Sequence, residues 1–146
     1  MSKKPLADVF KQEKQIVSNY LINYFEIKLQ YEQDRERILE NSPPPPDGMP
    51  RGSTVGNKTA SAGIALASLA VTEMWLRVIE ELVAGLNEDE LLLLELKRTY
   101  KEHIKENSVK ERIARELKVS IRTTYNRWQG ILDRGQELAV RRGLLR

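Results

Sequence analysis

The chain has 146 residues, 40% of them apolar and 31% charged, with a net charge of +3, which suits one domain or two small ones with a helical core and much solvated surface. It has no cysteine, which excludes a disulfide framework and a thiolate metal site and fits a reducing compartment. The longest apolar run, Gly63 to Val71, is broken by Ser68 and too short to span a bilayer, and no apolar signal core follows the basic start Met-Ser-Lys-Lys-Pro, so a soluble cytoplasmic protein without membrane contact is expected.

Residues 6–40 contain no Gly or Pro and predict one long helix. Phe10, Val17, Tyr24, Tyr31 and Ile38 recur every seven residues, Leu6, Tyr20 and Ile27 take the companion heptad positions, and Leu21 and Phe25 widen the stripe. At about 1.5 Å per residue such a rod is on the order of 50 Å long, so another long helix or a second subunit must run beside it. Its aromatic stripe reads as core. Glu32, Asp34, Glu36 and Glu40, alternating with Arg35 and Arg37, read as a solvated face and not as a catalytic carboxylate pair.

Asn41 to Asn57, NSPPPPDGMPRGSTVGN, is the clearest boundary. Four consecutive prolines cannot continue a helix, and the glycines supply turns, so a Pro/Gly loop is expected over 41–58. Gly52 to Thr59 has the wrong glycine spacing for a phosphate-binding loop, Asn57 intrudes before Lys58, and no strand precedes it; nucleotide binding is rejected. Arg51 and Lys58 remain possible phosphate or partner contacts, and Thr59 is the expected N-cap of the next helix. From about Ala60 to Leu86, Ile64, Ser68, Val71, Trp75, Val78, Leu82 and Gly85 step by three and four, a second heptad seam anchored by Trp75. The two long helices predict an antiparallel hairpin over 1–86 that serves in oligomerisation.

Asn87 and Glu90 form a capping-box start. Leu91 to Leu94 and Leu96 follow, with Tyr100 and Ile104, and this segment is expected to pack against both the hairpin and the C-terminal unit. His103 is the one histidine and, without Cys or a second His, no metal site. Ser108 with Glu111 spells another capping box, and Val109, Ile113 and Leu117 share a helical face beside the small Ala114. Lys118 and Val119 break that rhythm, and Ser120 offers a new N-cap. Ile121, Thr124, Tyr125, Trp128, Ile131 and Leu132 then make an apolar stripe, with Arg122, Thr123, Asn126 and Arg127 opposite it. Gly130 and Gly135 weaken this helix by about 1 kcal/mol each and permit close packing or a bend. Arg141, Arg142 and Arg146 are phosphate contacts or a frayed tail.

Two short helices joined by a tight turn, the second long and basic, are the plan of a helix-turn-helix. Charge points the same way. Residues 1–50 hold 7 Lys/Arg against 8 Asp/Glu and residues 51–100 hold 5 against 7, whereas residues 101–146 hold 12 against 6. A basic end on a near-neutral body is the footprint of phosphate contacts. The residues alone leave open a helical pair that only packs or that binds protein.

The run R-I-A-R-E-L-K-V-S, residues 112 to 120, resembles the E-I-A-x-x-L-G-I-S run of the promoter-reading C-terminal domain of sigma factors, and L-N-E-D-E-L-L-L-L-E-L, residues 86 to 96, resembles the helix before it. Two positions depart from that pattern: Lys118 where Gly is usual, which asks a non-Gly residue to enter the left-handed region at about 1 kcal/mol, and Thr124 where an aliphatic is usual. The whole layout, with M-P-R-G-S at Met49 to Ser53, is similar to the RinA/ArpU group of phage transcriptional regulators. The resemblance implies an all-α protein with a long antiparallel helical hairpin (1–86) and a C-terminal helix-turn-helix DNA-binding domain (87–146). It implies an activator of late packaging and morphogenesis operons in a bacterial host, with host RNA polymerase as a candidate partner.

On this reading the partner is double-stranded DNA, and the hairpin makes a homodimer or higher homo-oligomer. Arg122, Thr123, Asn126 and Arg127 face the major groove. Ser120 with Lys110, Arg115, Lys118 and Arg134 holds phosphates. No cofactor or metal is implied, and no nucleophile–base pair suggests an enzyme. The alternative is a viral small terminase subunit, a ring-forming DNA-recognition adaptor, although in that class the DNA-reading unit usually comes first in the chain. A third is a pure protein-interaction module.

Overall fold

The computed structural model describes residues 6–40 and 52–145, and the side chains of 9, 11–40 and 63–145. Residues 41–51 and Arg146 lie outside the described residues, as do the side chains of Leu6, Phe10, Lys58 and Thr59. Among the described residues the regular structure is all helical. The six α-helices are α1 (Leu6–Ile22), α2 (Tyr24–Glu40), α3 (Gly52–Ala84), α4 (Glu88–Thr99), α5 (Asn107–Leu117) and α6 (Ile121–Arg141), with a single 3-10 turn, Lys101–His103, after α4. No helix among the described residues is long and apolar enough to cross a membrane.

The single long helix expected over 6–40 is interrupted at Asn23. The Arg98 Nε of α4 donates to the Leu21 carbonyl at 2.9 Å. In an unbroken helix that oxygen would accept from the amide of residue 25, and a side chain inserted into the ladder is a known cause of a break. The Arg98 guanidinium also lies 4.9 Å from the Phe25 ring, and burial holds its pKa below the ordinary arginine value. The loop expected over 41–58 is also corrected at its end: α3 begins at Gly52, so 52–58 are helical.

One buried cluster joins the elements. Val17 and Leu21 of α1, Trp75, Ile79 and Leu82 of α3, Leu93 and Leu94 of α4, and Ile131 and Ala139 of α6 belong to it. The turn at 85–87 therefore separates two sequence regions but not two cores. Trp75 is buried and stacks on Tyr20 at 5.0 Å between ring centroids. Tyr24 donates to the Glu80 carboxylate at 2.6 Å, and burial, then that hydrogen bond, pushes its phenol up to about 12. Gly135 of α6 meets α1 and α3 so closely that a Cβ there would lie 2.6 Å from Val17 and 2.9 Å from Leu82. That is the close packing that a glycine in this helix permits. Lys14 with Asp133, and Glu13 with Gln136, flank the same α1–α6 contact.

Away from this junction the heptad seams are only half used. Val17 and Tyr24 are buried, whereas Ile64 and Val71 of α3 are exposed, Ile64 by 71%. Leu29 and Leu39 of α2 and Leu66 of α3 are exposed as well.

Candidate nucleic-acid interface

α4 starts with the expected capping box: the Glu90 amide donates to Asn87 Oδ1 at 2.9 Å and the Asn87 amide to Glu90 Oε1 at 3.1 Å. The box expected at Ser108 and Glu111 does not form. Glu106 is the extended residue before α5 and makes no side-chain cap, so Ser108 falls inside the first turn. α5 ends as its sequence predicts. Lys118 takes φ 59° and ψ 36°, in the left-handed region. The Val119 amide reaches the Ala114 carbonyl and the Lys118 amide that of Arg115, each at 3.1 Å. These are the paired bonds of a Schellman turn, made here without the usual glycine.

Three residues after α5, α6 begins. Ser120 Oγ accepts from the Thr123 amide at 3.0 Å and donates to Thr123 Oγ1 at 2.9 Å. The predicted N-cap is therefore present, and it commits the Ser120 hydroxyl to the cap. Thr124 is buried at the aliphatic position with its hydroxyl bonded to the Ser120 carbonyl at 3.0 Å, so it leaves no unsatisfied polar atom. Trp128, Ile131 and Leu132 are buried below it.

Ile121 and Tyr125 depart from the expected stripe, with exposures of 46% and 61%. They lie beside Arg122 and Asn126, which are exposed too. At spacings of four, Ile121 with Tyr125 and Arg122 with Asn126 form two adjacent columns at the start of α6. The exposed surface is thus half apolar, which the opposite-face assignment of Arg122, Thr123, Asn126 and Arg127 missed. Thr123 and Arg127 are half-buried. Lys110, Arg115 and Lys118 are exposed. Among the described residues none of Lys110, Arg115, Lys118, Arg122 and Arg127 has an ion pair.

Arg134 is different. It pairs with Glu90 of the α4 capping box, and it stands about 18 Å along α6 from Arg122. The structure sets it apart from Arg122 along the helix and gives it a carboxylate partner. Arg142 and Arg141 likewise pair with Glu81 and Glu137, at 2.9 and 2.8 Å.

Comparison with protein-family models, with curated proteins and with solved structures finds no match.

Beside the exposed columns lies a cavity of about 500 Å³, partly open to solvent. Its carbon wall comes from Ile104, Ile113, Ile121 and Tyr125, with Thr124 behind. Lys97, Lys110 and Arg122 supply its charge. The half-buried Lys97 ammonium sits 4.5 Å from the centre of the Trp128 ring. Desolvation, and then the charge of Lys110, lower its pKa to about 8. No sequence signal marked Lys97, because its setting depends on α5 and α6 closing over the last turn of α4.

Proposed function

We propose that the chain is a sequence-specific DNA-binding transcriptional regulator of the phage type, reading DNA with α5, the turn 118–120 and α6 as a helix-turn-helix. One observation carries the reading: at the start of α6 Arg122 and Asn126 are exposed one turn apart, Lys110 lines the same cavity as Arg122, and Lys110, Arg115, Lys118 and Arg122 are exposed cations without ion pairs among the described residues. Arg and Asn can make bidentate contacts to guanine and adenine in the major groove, worth about 1–3 kcal/mol each, and an exposed apolar neighbour such as Ile121 or Tyr125 suits a thymine methyl. Unpaired lysines and arginines suit phosphates.

The hairpin part of the proposal has α2 running back along α3. Tyr24, at the start of α2, bonds Glu80, near the end of α3. From that level α2 extends about 24 Å, and α3 reaches back about 42 Å to Gly52. The chain from 41 to 51 spans at most about 40 Å, a reach that favours the antiparallel arrangement. The exposed Leu29, Leu39, Ile64, Leu66 and Val71 on this arm suit burial against a second copy, giving a homodimer or higher homo-oligomer with paired reading heads. The resemblance to RinA/ArpU regulators adds late-operon activation with host polymerase to the proposal.

Titrations on duplexes selected from the DNA flanking its own gene, and on scrambled versions, test the reading. Arg122→Ala is expected to flatten the preference between them. Lys118→Ala is expected to weaken both equally and to lower the salt slope by about one. Equal losses from the two changes would remove the assignment, and binding without salt dependence would remove DNA as the partner. Footprinting with and without polymerase tests activation.

A further inference from the structure

We propose that the cavity between α4, α5 and the start of α6 is a binding site for a small amphipathic monoanion, a carboxylate on an aliphatic or aromatic body. Size, wall and charge each narrow the ligand. A volume of about 500 Å³ falls within the range of small-molecule sites, roughly 300–1,000 Å³. Ile104, Ile113, Ile121 and Tyr125 give it carbon walls that a small inorganic anion would leave wet. Lys97, Lys110 and Arg122 line it and, among the described residues, no carboxylate does, so the head group is negative.

Lys97 gives the sharpest reason. Of the half-buried cations among the described residues, Lys14, Arg98 and Lys101 each have an oxygen partner, Asp133, the Leu21 carbonyl and Glu26, whereas Arg127 and Lys97 have no ion pair. Among the described residues Lys97 meets the face of Trp128 and no oxygen partner, with Lys110 as a repelling neighbour. A desolvated ammonium without a counter-charge is costly, and a carboxylate seated against it would remove that cost. The depressed pKa agrees with this geometry and sets a signature. A bound carboxylate favours the charged amine, so affinity holds below pH 8 and falls as the free protein's Lys97 loses its proton.

Arg122 and Tyr125 belong both to the cavity wall and to the exposed columns of α6. Ligand and DNA therefore compete for them. This consequence rests on the DNA reading; the binding site itself does not.

The test is a titration of the full-length protein, without DNA, with submicellar decanoate, decanol and decyltrimethylammonium, followed by calorimetry and by backbone amide shifts. Decanoate is expected to bind at pH 7, with shifts confined to the end of α4 and the first turns of α5 and α6. Lys97→Met, which keeps the length of the side chain, is expected to weaken decanoate at least tenfold and leave decanol unchanged. Lys110→Met, at an exposed position, provides a second variant if the first folds poorly, with a loss of several-fold expected. No binding, equal binding of decanoate and decanol, or decanoate affinity unchanged in both variants would overturn the proposal. A second titration, with labelled duplex, checks the competition: decanoate is expected to lower DNA affinity, and DNA affinity unaltered at saturating decanoate would overturn the sharing of Arg122. Because the first titration contains no DNA, its outcome stands even where the DNA reading fails.

Discussion

The junction of α1, α4 and α6 with the last turns of α3 differs from the arm made by α2 and the first half of α3. In the junction the apolar residues are covered: Leu21, Ile79, Leu93, Leu94 and Ile131 are all but inaccessible. Along the arm Leu29, Leu39, Ile64 and Leu66 face solvent, Ile64 on the heptad seam and the others beside it, and the next apolar seam position, Val71, is exposed too, although the heptad pattern runs through both regions. The difference is one of partners. A helix in the junction touches several others, whereas two helices alone can hide only one stripe each. The same apolar pattern therefore specifies a core in one place and an unfilled surface in the other.

Truncation of apolar side chains should break this comparison most strongly. Leu93→Ala is expected to destabilise the chain by about 2–5 kcal/mol, whereas Leu66→Ala should cost less than about 0.5 kcal/mol in the monomer and instead reduce self-association. Denaturant melts and sedimentation read the two. Comparable melts would show that the arm is part of the core.

The two glycines of α6 give the next contrast. Gly135→Ala pushes a methyl group onto Val17 and Leu82 and should cost about 1–3 kcal/mol. Gly130 has open space around it, and Gly130→Ala should gain about 0.5–1 kcal/mol from helix propensity alone. Thermal melts of the pair sharpen the boundary between sealed and free faces of one helix.

Lys97 gives the pH-dependent member of the series. Folding lowers its pKa from 10.5 to about 8, so the unfolded chain holds this proton more tightly. Relative to Lys97→Met, the native protein should gain stability as pH rises from about 8 to 10.5 and hold a constant deficit below 8, on the order of 1–3 kcal/mol. A difference between the two that did not change over that window would mean the amine is not desolvated.

Much of the local structure was legible in the residues. Asn87 and Glu90 cap α4, Ser120 caps α6, Lys118 takes the left-handed turn, and Trp75 anchors the core, because each depends on neighbours a few positions away or on a strong apolar period. What was illegible comes from distant partners. At the break at Asn23 it is the distant Arg98 that bonds the Leu21 carbonyl, and Arg134 is engaged by the equally distant Glu90. Ser108 and Glu111 had the right spelling for a cap, but α5 starts one residue before Ser108. In the candidate interface, Arg122 and Asn126 were readable as an exposed pair. Ile121 and Tyr125 were not, since a three-and-four spacing fixes a stripe but not how far along it the partner helices extend.

The missing side chain at position 135 binds the histories of three sites together. A carbon added there meets Val17 and Leu82, so substitutions along this contact are expected to be tolerated better in matched sets than singly. Combining Gly135→Ala with Val17→Ala would recreate the same helix spacing with the bulk moved across the seam.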